Sequence, residues 1–202
     1  HYMSGNTYIS MHLLPSKKLF QISNSFSIPI ILSIRNPAQI LVSYYYYIQR
    51  LTNPNKNSTI EMNDPGNIFF QAHRLNTPLI DLKESLVYIA FPKVVSFLEQ
   101  WFLFIREIRN NQQAVNFPEI LILNQEELAL NPKAYHQSIH EFLPFHEPFS
   151  PNSFNNITNH NFRKGSVEEW KGFFNKKQLT TLENQLNRLK TEYPEFTSFW
   201  YI

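Results

Sequence analysis

The sequence predicts an α/β fold, a parallel sheet flanked by helices, on three observations. Two short apolar runs, Ile28–Ile34 and Pro118–Leu123, have the length and the isoleucine and leucine content of buried strands. Stretches with helical spacing separate them, the alternation expected of an α/β chain. The first run ends on Arg35-Asn36-Pro37, where strand-like sequence turns into helix-like sequence.

The elements can be justified in chain order. A short strand is expected around Tyr8–Leu13, then the strand 28–34. Asn36 is a good N-cap and Pro37 suits the first helical position, where a missing N–H costs nothing, so a helix should cover 37–50. Leu51–Asp64 is rich in Asn, Pro and Thr and reads as a loop. Helical patterns cover Asn67–Leu75 and Pro92–Arg109, the latter carrying Val95, Leu98, Trp101, Phe102 and Ile105 on one face. The second strand follows, and then a helix from Pro132 to Phe142. Phe145–Asn161 is a long loop of Pro, Asn, Ser and Phe, and loops of that length tend to be functional or disordered. Ser166 and Glu169 have capping-box spacing, so a last helix should start at Ser166 and run to Tyr193.

Composition narrows the function classes. A chain of 202 residues with 43% hydrophobic and 17% charged residues is globular and long enough to bury a substantial core. A net charge of +2 argues against nucleic acid or an anionic membrane surface as the main partner. No cysteine is present, which excludes disulfides and thiolate metal sites and fits a reducing compartment. No uninterrupted apolar run approaches the roughly 18 residues that span a bilayer, so no membrane partner is expected.

Two places suit an anion. Arg35 should stand at the carboxyl end of a strand, where open α/β sheets bind ligands. Ser43 lies eight residues on, two turns into the helix, and a guanidinium with a hydroxyl is a reasonable pair for phosphate or sulfate. The second place is Arg163-Lys164-Gly165, just ahead of a helix start, where unpaired N–H groups and a partial positive charge gather. Gly165 there would let the backbone approach a ligand closely.

At these residues the chain resembles the cytosolic-type sulfotransferases, which use 3′-phosphoadenosine 5′-phosphosulfate as sulfuryl donor. Arg35-Asn36-Pro37 with Ser43-Tyr44-Tyr45 is similar to that family's R-[N/D]-P-x(5)-S-x-Y stretch, and Arg163-Lys164-Gly165 with Trp170-Lys171 to its RKG run before a W-K helix. Ile120–Leu123 followed by Glu126-Glu127-Leu128 and Asn131-Pro132 resembles its strand and Y-E-D-hydrophobic-x-x-[N/D]-P segment. Ser153-Phe154 resembles a Ser-Phe pair that touches the 3′-phosphate and the adenine. The similarity runs from about Ile9 to Phe174.

The resemblance implies a P-loop-NTPase-like sheet and a donor site in which Arg35, Ser43, Ser153, Phe154, Arg163, Lys164 and Gly165 hold the nucleotide. It implies transfer to the hydroxyl of a small acceptor, release of adenosine 3′,5′-bisphosphate, no metal, and a cytoplasmic setting. His12, in Ile9-Ser10-Met11-His12-Leu13-Leu14-Pro15, falls where that family has its K-T-H-L-P general base. An attacking hydroxyl must lose a proton, and imidazole titrates near the working pH.

The chain also departs from the pattern. The family's P-K-[S/A]-G-T-[T/S] loop has no match from His1 to Ile9, and Ser10 stands where many members carry lysine. The expectation is a single sulfotransferase-like domain over 1–202 that is N-terminally incomplete, lacking its first strand and phosphate loop. The alternative is a non-catalytic relative that binds a nucleotide or a partner. Glu168 replaces a common glycine ahead of Trp170. Asn175, Lys176 and Thr180 occupy the T, V and E positions of the short dimer motif found in many animal members, so the sequence assigns no oligomeric state. His136 and His140 share a helix face without an evident third ligand and read as a surface pair, while Tyr44–Tyr47 reads as core and pocket-wall packing.

Overall fold

The computed structural model describes residues 14–51, 79–111, 119–143 and 167–199. These are mostly helical, around a parallel sheet of two strands, β1 (Ile30–Ile34) and β2 (Ile120–Asn124). The α/β expectation is met in part: among the described residues the sheet has two parallel strands. The register pairs Ile30 with Ile120 and Ile34 with Asn124, so the two strands end side by side. β1 alternates as a strand must: Ile34 is buried and Leu32 packs on the core, while Ile31 and Ser33 are exposed on the other face. Burial on both faces, expected from the apolar run, is therefore not met among the described residues.

Helix α1 (Lys17–Ser25) precedes the sheet and was not expected, although Ser16 is an ordinary N-cap and accepts from Leu19 N–H at 3.1 Å. Ser27 then takes a positive φ of 51°, and Ile28 N–H bonds the Ser23 carbonyl at 2.8 Å, turning the chain into β1. The strand begins at Ile30, after Pro29, which has no N–H to give a ladder.

Helix α2 (Pro37–Leu51) follows as expected. The next described segment is a continuous helical rod: α3 (Leu79–Ser85), a π-helical turn at Leu86–Ala90, and α4 (Phe91–Asn111). The wide turn has a cause in the sequence. Pro92 has no N–H and its ring would strike the carbonyl one turn back; the π turn lies just before it, with Phe91 N–H reaching the Leu86 carbonyl. Within this rod, Leu82–Asn110 is long and apolar enough to cross a membrane by length and composition alone, although it holds no uninterrupted apolar run of that length. Lys93 and Glu99 interrupt the run, and half of its apolar window is buried in the protein. Leu86, Val95 and Phe102 from this rod form the middle of the core with Ile34 and Leu41.

After β2 come α5 (Gln125–Leu130), capped by Asn124, and α6 (Pro132–Phe142), capped by Asn131, whose Oδ1 accepts from Ala134 N–H at 3.2 Å. The single late helix expected from Ser166 to Tyr193 is two helices, α7 (Glu169–Phe173) and α8 (Lys176–Glu192). Val167 and Glu168 form a bend, so the helix begins at Glu169, and Ser166 lies outside the described residues. The break follows from a signal the periodicity hid: Asn175 and Gln178 make a reciprocal capping box, with Gln178 N–H on Asn175 Oδ1 at 2.9 Å and Asn175 N–H on Gln178 Oε1 at 3.0 Å. Leu182, Leu186 and Leu189 of α8 are fully buried. A 3₁₀ turn at Pro194–Phe199 is held to α4 by Phe196 stacked on Phe102 at 4.3 Å and by Arg106, which donates to Glu195 Oε1 at 2.7 Å and to the Glu192 carbonyl at 2.8 Å.

Candidate functional site

The register sets the site. Because Ile34 pairs with Asn124, the residues leaving the two strands, Arg35-Asn36 and Gln125-Glu126, are neighbours at the carboxyl edge of the sheet. Asn36 is buried and caps α2, its Oδ1 accepting from Ala38 N–H at 2.9 Å and Gln39 N–H at 3.4 Å. Its own backbone N–H donates to Glu126 Oε1 at 3.0 Å. Asn124 Oδ1 in turn accepts from Glu126 N–H at 2.8 Å, which fixes where the glutamate starts. One side chain from the end of β2 thus pins the turn that leaves β1.

Arg35 is held from two directions. Its Nη1 donates to Ser43 Oγ at 2.7 Å, and its Nε lies 3.7 Å from Glu126 Oε1. The arginine side chain keeps about a quarter of its surface exposed, whereas that of Glu126 is almost wholly buried. Burial pushes the Glu126 carboxyl above its ordinary range, against the lowering pull of the Asn36 N–H, its own backbone N–H and the Arg35 charge. Burial first, and then Tyr47, push the Tyr44 phenol up, so Tyr44 stays protonated beside Ser43.

The late segment meets this helix. Trp170 is buried, and its backbone N–H donates to the buried Gln39 Oε1 at 3.3 Å. Phe173 packs edge-on against Tyr45 at 4.9 Å and tilted against Tyr46 at 5.8 Å. Lys83 of α3 donates to the Phe173 carbonyl at 2.7 Å with its ammonium 3.9 Å from that ring's centre. Glu168 does not add a bare negative charge: it pairs with Lys171 at 2.6 Å.

A family model described as a sulfotransferase domain matches residues 3–190. The chain belongs to the sulfotransferase domain family. No curated protein and no solved structure matches it. Membership implies transferase activity and a P-loop-like α/β fold, of which β1 and β2 are the described strands.

Of the site residues read from the sequence of this sulfotransferase-domain chain, the structure brings Arg35 and Ser43 into direct contact. His12, Ser153, Phe154, Arg163, Lys164 and Gly165 lie outside the described residues. Two residues of the site were missed. Gln39 stands four positions before Ser43, hence on the same helix face, and a glutamine among Ala38, Leu41 and Val42 is the mark of a buried polar contact. Glu126 was read only as part of a family-like segment; its contact with the Arg35 turn follows from the strand register, which no local pattern states.

Proposed function

We propose that this protein is a sulfotransferase that moves a sulfuryl group from 3′-phosphoadenosine 5′-phosphosulfate to the hydroxyl of a small acceptor. The observation that carries the reading is the Arg35–Ser43 pair: a partly exposed guanidinium locked to a hydroxyl at 2.7 Å, at the carboxyl edge of a parallel sheet. Membership of the family supports the same donor.

The residues fit a nucleotide phosphate by the chemistry of their donor set. Arg35 and Ser43 would hold the 3′-phosphate, joined by Arg163, Lys164 and the Gly165 N–H, with Ser153 and Phe154 at the phosphate and the adenine. When bound, the donor supplies the sulfuryl group. The chain's own residues orient it through a phosphate remote from the reacting sulfur, so binding there acts by positioning. His12 would take the proton of the acceptor hydroxyl, help of a kind that contributes about 10²–10⁴-fold in rate.

Calorimetry with adenosine 3′,5′-bisphosphate on the wild type and on Arg35→Ala tests the site. Binding that weakens sharply in the variant supports it; equal binding, or none in either protein, rejects it. A transfer assay on His12→Ala in a full-length version that carries the phosphate loop tests the chemistry. Nucleotide affinity should persist while transfer falls by at least about 100-fold; an unchanged rate removes His12 from the mechanism.

A further inference from the structure

The geometry points to Glu126 as a positioning residue for the phosphate-reading arginine, an inference that rests on the reading of Arg35 given above. Three observations converge on it. Glu126 Oε1 alone accepts the Asn36 N–H at 3.0 Å and faces Arg35 Nε at 3.7 Å, so one oxygen addresses both the backbone of the turn and the side chain that leaves it. The carboxylate is buried at the point where β2 ends beside β1, and Asn124 fixes its backbone at 2.8 Å. Its second oxygen, Oε2, is buried with no hydrogen-bond partner among the described residues. An acid kept there despite burial has a purpose that a neutral, well-packed side chain would not serve.

That purpose is orientation. Arg35 follows a strand and precedes a helix, and its long side chain has several rotatable bonds to order before it can meet a phosphate. Ser43 Oγ takes one end of the guanidinium and Glu126 takes the Nε side. Fixed in this way, the fork is presented without having to be ordered at the moment of binding, which is where preorganisation gains affinity. Glu126 also carries a negative charge toward an anion site, and this acts in the opposite direction. Ordering outweighs that repulsion.

Calorimetry with two nucleotides, adenosine 3′,5′-bisphosphate and adenosine 5′-monophosphate, separates these roles on Glu126→Gln and Glu126→Ala. Glutamine keeps an oxygen for the Asn36 N–H and loses the charge; alanine loses both. Positioning predicts that Glu126→Ala weakens the 3′-phosphorylated nucleotide about tenfold or more while the 5′-monophosphate changes little, with Glu126→Gln between alanine and wild type. Equal loss for both nucleotides marks a merely structural residue and overturns the assignment. Tighter binding of the 3′-phosphate by Glu126→Gln marks a competing anion and overturns it too. If Arg35→Ala weakens binding and neither Glu126 variant does, this inference alone fails. If Arg35→Ala has no effect, the phosphate reading fails and takes the inference with it. Should the alanine variant not fold, the glutamine variant still decides.

Discussion

The Trp170 backbone N–H donates to Gln39 Oε1 at 3.3 Å, joining two residues 131 positions apart in sequence. Gln39 sits one turn into the helix that begins beside Arg35, on the face it shares with Ser43. Trp170 lies in the short helix that follows Arg163-Lys164-Gly165 in sequence. This bond ties the start of α7 to the arginine helix, and it is made where both groups are out of water.

Gln39→Leu should therefore damage both stability and binding. Leaving the buried Trp170 N–H without an acceptor costs about 1–3 kcal/mol, readable as a shift in the urea midpoint at constant slope. Affinity for adenosine 3′,5′-bisphosphate should fall as well, because α7 loses its tether beside Ser43. A stability loss with unchanged affinity would show that the tether serves the fold alone.

Ser43→Ala isolates the Arg35 contact. Ser43 is half-buried and its hydroxyl accepts from the Arg35 guanidinium, which is exposed enough to turn to water in its absence, so stability should fall by only about 1 kcal/mol. Hydrogen bonds to charged groups are worth about 1.5–3 kcal/mol, so nucleotide affinity should drop about 10- to 100-fold. Calorimetry beside a thermal melt reads both quantities. A variant that binds as tightly as the wild type would remove Ser43 from the phosphate site.

How far the sequence reveals this molecule depends on whether a signal is local. The Arg35-Asn36-Pro37 turn was legible because strand pattern, N-cap and proline sit within a few residues, and Asn36 does cap α2. The apolar face of α4, with Val95, Leu98, Trp101, Phe102 and Ile105, was legible for the same reason, and all five are buried. The split between α7 and α8 was missed because helical periodicity continues across Asn175, and only the Asn175–Gln178 pairing reveals the stop. The helix around Leu79–Ala90 was missed because it ends in a π turn ahead of a proline, a place where a pattern rule stops reading. Gln39 and Glu126 were missed for a different reason. Their partners come from distant segments, brought close by strand register and helix packing.

Trp170 should be the most costly single truncation in the late segment. It is fully buried in the cluster that joins α2, α4 and α8, and Trp→Ala in such a site costs about 3–5 kcal/mol. Its indole Nε1 is buried with no hydrogen-bond partner among the described residues. Trp170→Phe therefore gives up no hydrogen bond seen here and should cost clearly less than alanine. Urea denaturation of the two variants checks the order; equal losses would mean that the indole N–H is satisfied after all.

The last expectation concerns pH and follows from burial of Glu126. Its folded pKa lies above the ordinary value of 4.5, raised by burial and lowered less by the Asn36 N–H, by its own N–H and by Arg35, the charged group that acts on it among the described residues. A carboxyl shifted in this direction binds its proton more tightly in the folded protein than in the unfolded chain. Its stabilising contribution is complete below the ordinary value and is lost as pH rises through the raised one. Glu126→Gln does not titrate, so the stability of the wild type relative to that variant should decline as pH rises from about 4 through the raised value. Urea midpoints of both proteins across that range provide the measurement. A relative stability that instead grows with pH would mean that Arg35 and the Asn36 N–H outweigh desolvation, and that the ionised carboxylate is the form the fold prefers.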